Sequence, residues 1–229
     1  EMNKKKVILV MSTQYPGYGG AATNAYALIK YLRTLEYFVF GIFIEDRSDV
    51  DIDPEKIGNI YHMKYKLFNS TDKIILRKYR YFFDSIIGNS PSIILCKNYF
   101  TPYCSKLLYP DVRNVYLVSG IVSIIDHYHY IPVQKLIESN IPLVQTKNDI
   151  IAIMNSDLVV ANSPLTHKLL YLCYSDFKNK FYPNPIDTSK YIEHLIDVGK
   201  GYEWEFIKKY DFIIVSTILT RQEKNNLFL

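Results

Sequence analysis

Short apolar runs, rich in β-branched residues and bounded by turn residues, alternate along this chain with longer stretches in which apolar positions recur at helical spacing. The alternation predicts strands over residues 5–12, 37–44, 59–63, 92–97, 115–119, 158–162 and 180–182. It predicts helices over 23–35, 72–87, 102–109, 133–138, 143–155 and 165–174. Runs such as Val7-Ile8-Leu9-Val10 and Ile93-Ile94-Leu95 are apolar without interruption, where a sheet wet on one side would alternate. Strands of that kind are covered on both faces. The expected fold is therefore α/β: a doubly wound, mostly parallel, Rossmann-like sheet between helices.

After Asp187 the pattern changes. Residues 188–201 are polar without a strand signal, Gly199-Lys200-Gly201 reads as a hinge, 202–210 as a helix, 211–216 as another buried strand, and 224–229 as the start of a helix. A strand followed by half a helix cannot bury its own faces. The expected organisation is a Rossmann-like domain over 1–187, a linker over 188–210, and over 211–229 the first strand and turn of a second domain that the chain only begins.

Composition narrows the class. A domain of about this size buries roughly 70% of the surface its unfolded chain exposes, so its core needs no staple. Cys96, Cys104 and Cys173 form an odd set without C-x-x-C spacing, which suggests neither a disulfide framework nor a zinc site and points to a reducing compartment, the cytoplasm. The 29 Ile, 21 Tyr, 21 Lys and 15 Asn against 6 Ala and 6 Arg follow AT-rich codons and say nothing of activity. A formal charge of +4, with no basic block beyond Lys4-Lys5-Lys6, leaves no nucleic-acid footprint. The apolar run after those lysines, 7–11, is shorter than a signal-peptide core, and no run reaches the ~18 apolar residues of a spanning helix. Peripheral association with a membrane stays open.

Five segments could carry chemistry. Tyr15-Pro16-Gly17-Tyr18-Gly19-Gly20-Ala21-Ala22 lies between the first strand and the first helix, where glycines admit close backbone approach and free N–H groups favour an anion such as phosphate. No Gly-Lys-Ser/Thr follows, so it is not a P-loop. Gly17, Gly19 and Ala22 match G-x-G-x-x-A, with Glu45 or Asp46 placed to hold a ribose, but four residues separate Ser12 from Gly17 where a dinucleotide fold has a tight turn. The second segment is the strand ending Ser119-Gly120 with the following Asp126-His127-Tyr128-His129, which reads as a polar loop or as a source of hydroxyl partners or a base. Two histidines alone make half a metal site. Third, the strand from Asp157 delivers Asn162 and Ser163 to the same sheet edge, Ser163 also qualifying as an N-cap before Pro164. Fourth, Pro183-Asn184-Pro185-Ile186-Asp187 is an extended turn. Last, Arg221 and Lys224 sit between a strand and a helix N-terminus, where two cations oppose the dipole unless they face an external anion.

In their order and spacing these pieces resemble the family 4 type of retaining glycosyltransferases, whose GT-B architecture joins two Rossmann-like domains. The resemblance runs over nearly the whole chain. It rests on the paired-glycine loop, the 157–163 strand element, the Pro-Asn-x-x-Asp element at 183–187, and the strand with Arg221 and Lys224-Asn225 about thirty residues later. It implies that the chain is the N-terminal, acceptor-side half of such an enzyme, with the glutamates of the donor domain beyond Leu229. The implied reaction moves a sugar from a nucleotide-sugar donor to a glycan, lipid or protein acceptor with retention, needing no cofactor and no divalent metal, with the 229-residue chain folded but inactive alone. Gly19, Gly20, Arg221 and Lys224 would meet the donor diphosphate; Ser119, Gly120, Asp126, His127, Asn162 and Ser163 would line the acceptor side. Two positions depart from the family pattern: Ser119 stands where many relatives have His, and Pro185 where Gly is commoner. A nicotinamide-dependent oxidoreductase and a non-catalytic carbohydrate- or protein-binding module are the alternative readings of the same fold.

Overall fold

The computed structural model describes residues 6–13, 20–45, 52–54, 59–69, 73–118, 120–128, 130–131, 133–139 and 143–182. They form one eight-stranded sheet flanked by helices. In chain order the strands are β1 (Val7–Thr13), β2 (Phe38–Ile44), β3 (Ile52–Pro54), β4 (Ile60–Met63), β5 (Ile93–Lys97), β6 (Asn114–Val118), β7 (Leu158–Ala161) and β8 (Phe181–Tyr182). Their spatial order is β3-β4-β2-β1-β5-β6-β7-β8, and every neighbouring pair is parallel except β3 with β4. This is the doubly wound α/β sheet that the apolar runs predict. β1 pairs with β2 through Val7↔Phe38 to Thr13↔Ile44 and with β5 through Ile8↔Ile93 to Met11↔Cys96, so all seven residues of β1 are buried.

The helices are α1 (Gly20–Thr34), α2 (Tyr65–Asn69), α3 (Lys73–Ile87), α4 (Thr101–Leu108), α5 (Val122–Tyr128), α6 (Val133–Glu138), α7 (Lys147–Met154) and α8 (Pro164–Cys173), with a 3-10 turn at Ser175–Lys180. On one sheet face Ile8, Val10, Val39 and Phe43 pack under Ala22, Ala25 and Ile29 of α1. Gly41 of β2 makes that approach possible, because a Cβ there would lie 2.7 Å from Ile29 Cδ1 and 3.3 Å from Phe43. The opposite face carries two clusters, one joining β1, β2, β4 and β5 to α2, α3 and α4, the other joining β6, β7 and β8 to α7 and α8. All three cysteines are buried and free; burial pushes the Cys96 thiol up to about 12, which keeps it protonated and unreactive.

Several features differ from the sequence expectation, among them α2 and the 3-10 turn, which fall where no element is predicted. β3 had no signal, because three residues ending in Pro54 make too short a run to read, and its edge position is where a proline is tolerated. The segment carrying Asp126 and His127 is helix α5, not a polar loop. α7 starts at Lys147 and not at 143, since Thr146 is extended and caps it, accepting from Asp149 N.

Polar pins close the sheet's N-terminal edge. Asn114, fully buried, donates through Nδ2 to Ser105 Oγ at 2.6 Å and to the Asn155 carbonyl at 2.8 Å, and accepts from Asp157 N–H at 2.9 Å. Its own N–H donates to Asp157 Oδ2 at 2.8 Å, which also takes Lys106 Nζ at 2.9 Å. Asp157, which the sequence marks as the start of a conspicuous strand, is thus a structural pin between β6, β7 and α4. Burial raises the Asp157 carboxyl, but the hydrogen bonds from Lys106 and Asn114 and the charges of Lys106 and Lys180 outweigh it and hold the group below its ordinary 3.8. Near the other edge, Asp149 is buried and accepts from Val122 N–H at 3.1 Å, Thr146 Oγ1 at 3.0 Å and Tyr174 Oη at 2.7 Å. It fixes the starts of α5 and α7 against the end of α8.

A carboxyl depressed in the folded state contributes stability above its unfolded pKa and loses it as pH falls through the folded value. Asp157→Asn is therefore expected to flatten the fall of Tm as the pH drops below the ordinary carboxyl value of 3.8 relative to the wild type, read by thermal melts across pH. Asp149→Ala, which strands the buried Tyr174 hydroxyl and two half-buried donors, is expected to cost about 2–3 kcal/mol in urea unfolding, with Asp149→Asn milder.

Candidate functional site

In an open α/β sheet the ligand crevice lies beyond the carboxyl ends of the strands, where the strand order reverses. Here that place is the top of β1 and β5, since the chain runs from β1 to β2 on one side and reaches β5 on the other. α1 covers one face at this point and α4 the other. The crevice rim is assembled from the ends of β1, β5, β6 and β7 and from the helices that follow them.

Gly20 opens α1, so the N-terminus of a 15-residue helix stands at the crevice with its dipole behind it. Gly120 is half-buried between the end of β6 and α5. The N-terminus of α5 is held by the Asp149 bond to Val122 N–H, which sets the course of this connection. His127, on α5, is exposed, its ring 6.4 Å from that of Tyr128 in a T-shaped contact, and Tyr128 Oη in turn accepts from Val144 N–H at 2.9 Å. The backbone of Asp126 belongs to the same helix. Asn162 and Ser163 follow β7 at the same edge. Ser163 is extended and its Oγ accepts from Thr166 N–H at 3.1 Å, with Pro164 in the first turn, so it caps α8 as its sequence context predicts. The Thr166 hydroxyl donates to Asn162 Oδ1. Both side chains are thus engaged in the start of α8 while standing at the rim.

The remaining sequence candidates, Gly19, Ser119, His129, Arg221 and Lys224, lie outside the described residues, as do Gly17, Asp46 and the 183–187 element. The structure brings together Gly20, Gly120, Asn162 and Ser163 along one sheet edge and places His127 one helix away. Glu45, weighed as a ribose-binding acid, is buried beside His62, whose Nδ1 lies 2.8 Å from its Oε1. Both side chains are buried, Glu45 just after β2 and His62 in β4. Among the described residues no three His, Cys, Asp or Glu side chains group as metal ligands, and no helix is long and apolar enough to cross a membrane.

Sequence reasoning passed over Lys97 and Asn98, which end β5 at the crevice. Lys97 is half-buried, and burial lowers its pKa. Asn98 takes the left-handed backbone, with φ of 84°, which asparagine tolerates better than most residues. Thr101 Oγ1 donates to the carbonyls of both, at 2.9 and 3.0 Å, tying the end of the strand to α4. The available signal was a lysine closing an otherwise apolar strand. Asp149 was passed over as well, submerged in a helical pattern.

No protein-family model matches the chain, and no curated protein matches it. Among solved structures it is similar to sucrose-phosphate synthase from Thermosynechococcus elongatus, at 12% identity and a TM-score of 0.47 over 83% of this chain and 53% of that one. It is also similar to the apo form of the lipopolysaccharide outer core galactosyltransferase WaaB, at 14% identity and a TM-score of 0.45 over 79% of this chain and 46% of that one. A third is a ugt transferase from Siraitia grosvenorii in complex with UDP, at 13% identity and a TM-score of 0.43 over 79% and 48%. The chain spans about half the length of each. Likeness at these levels assigns neither activity nor substrate to this chain.

Proposed function

We propose that this chain is the acceptor-side half of a glycosyltransferase that moves a sugar from a nucleotide-sugar donor to an acceptor with retention at the anomeric carbon. The observation that carries the reading is the order of its parts: Gly20 at the start of α1 and Asn162 and Ser163 at the end of β7, the ends of the two resemblance elements that fall among the described residues, stand along the C-terminal edge of one doubly wound sheet, Gly20 beside the point where the strand order reverses. On this reading the start of α1, with Gly19 and Gly20, approaches the donor diphosphate from one side. Arg221 and Lys224 approach it from the other, as electrostatic stabilisation of a departing diphosphate requires. Ser119, Gly120 and the α5 face with Asp126 and His127 line the acceptor side. Asn162 and Ser163 support that edge chiefly by starting α8. On this reading the glutamates that the resemblance implies belong to a donor domain, and the nucleotide sugar is a substrate and not a resident cofactor. The burial of Glu45 against His62 counts against Glu45 as the ribose-binding acid of the dinucleotide alternative, while Asp46 lies outside the described residues.

A panel of labelled nucleotide sugars tests the reading. A chain extended through the following reading frame is expected to transfer sugar, whereas the 229-residue chain alone is expected to show none; turnover by the short chain, or tight NADH binding seen by nicotinamide fluorescence, would sink it. In the extended chain, Gly120→Leu is expected to raise the acceptor KM several-fold while leaving the donor KM unchanged, because the added side chain would intrude on the acceptor side alone.

A further inference from the structure

Lys97 is the one residue of β5 that the sheet does not explain. Ile93 and Leu95 pack toward α1, and side chains two apart on a strand share a face, so Lys97 extends that row to the top of the sheet on the α1 side. The pairing of Met11 with Cys96 sets Ser12 beside it, and Lys97 itself pairs with Leu117. Ser12 gives its hydroxyl proton to the Thr13 carbonyl and offers Lys97 no charge, and Leu117 is apolar. Among the described residues no carboxylate and no carbonyl receives the Lys97 ammonium, while its carbonyl is held by Thr101.

The contrast with the other interior lysines is sharp. Lys106 reaches Asp157 and the Val112 carbonyl, and Lys180 caps α7 through the carbonyls of Ile153, Met154 and Ser156. Those two contribute to the fold. A cation half-withdrawn from water without a partner costs stability, and folds carry such a cost where a ligand repays it.

We infer that Lys97 is an anion-binding residue of the crevice, donating to a phosphate oxygen of a bound ligand that lies between the end of β5 and the start of α1. The ligand class is a phosphorylated molecule, either the diphosphate of a nucleotide or the phosphate of a sugar phosphate. For a nucleotide diphosphate the inference rests on the transferase reading, which places the donor at the start of α1; binding is read without turnover, so a failure of transfer and a failure of binding are told apart.

The 229-residue chain is titrated by calorimetry with inorganic pyrophosphate, UDP and glucose 6-phosphate, alongside Lys97→Met and Lys97→Arg. The wild type is expected to bind at least one probe, Lys97→Met to lose about tenfold or more of that affinity, and Lys97→Arg to keep most of it. Loss confined to UDP assigns the site to a nucleotide diphosphate, loss confined to the sugar phosphate assigns it to the other partner, and loss for pyrophosphate alone or for every probe is a phosphate site open to both. Thermal melts separate a binding role from a structural one: removing an unrepaid half-buried cation is expected to raise Tm by about 1–3 °C in Lys97→Met. Unchanged affinity for every probe in Lys97→Met, no binding of any probe by the wild type, or a fall in Tm for Lys97→Met overturns the inference.

Discussion

β1 has a parallel neighbour on each side, and that constraint governs everything above it. Parallel strands are joined by crossovers, and crossovers of one hand place their helices on opposite faces when the chain moves in opposite directions along the sheet. The step from β1 to β2 therefore puts α1 on one face, and the step from β5 to β6 puts α4 on the other. The two connections diverge at the top, and a gap opens there that no side chain had to be selected to create. Gly41 keeps α1 tight against the sheet, so the gap has a rigid wall.

The two ends of the sheet treat polar groups differently. At the N-terminal end, Asn114, Asp157, Lys106 and Lys180 are matched donor to acceptor. Asp84 belongs to the same end, accepting from Tyr109 Oη and Ser90 Oγ. Buried groups satisfied in this way favour a single arrangement of the chain and offer nothing to a ligand. At the C-terminal end the matched groups, Asp149 with Tyr174 and Ser163 with Thr166, secure the helices around the crevice, while Lys97 ends β5 without a carboxylate or carbonyl partner among the described residues. The first end supplies rigidity, and the second combines rigidity with chemistry.

The sheet was legible because its signal is local and repeated. Val7-Ile8-Leu9-Val10 and Ile93-Ile94-Leu95 can be nothing but doubly covered strands once helices are seen between them, and their boundaries shift by only a residue or two in the structure. The cap at Ser163 was readable for the same reason, since Pro164 and Thr166 sit within one turn of it. What escaped depends on partners far along the chain. Asp149 becomes a pin only when Val122, twenty-seven residues earlier, and Tyr174, twenty-five later, arrive beside it. Asp126 and His127 read as a loop because a seven-residue helix holds too few turns to establish a period. Lys97 was invisible as a binding candidate because a strand-ending lysine is commonplace until its lack of a partner is seen.

The brief strand β3 has a consequence for the protein's behaviour in a crowded solution. An open parallel sheet ends in a row of unpaired backbone groups that can template another chain, and edge strands that are long and regular invite aggregation. Here the outermost strand on the β4 side is only three residues long, runs against the direction of its neighbour, and finishes in a proline that has no N–H to offer. It occupies the pairing edge of β4 while presenting almost no ladder of its own, and so acts as a stopper on sheet growth at that side.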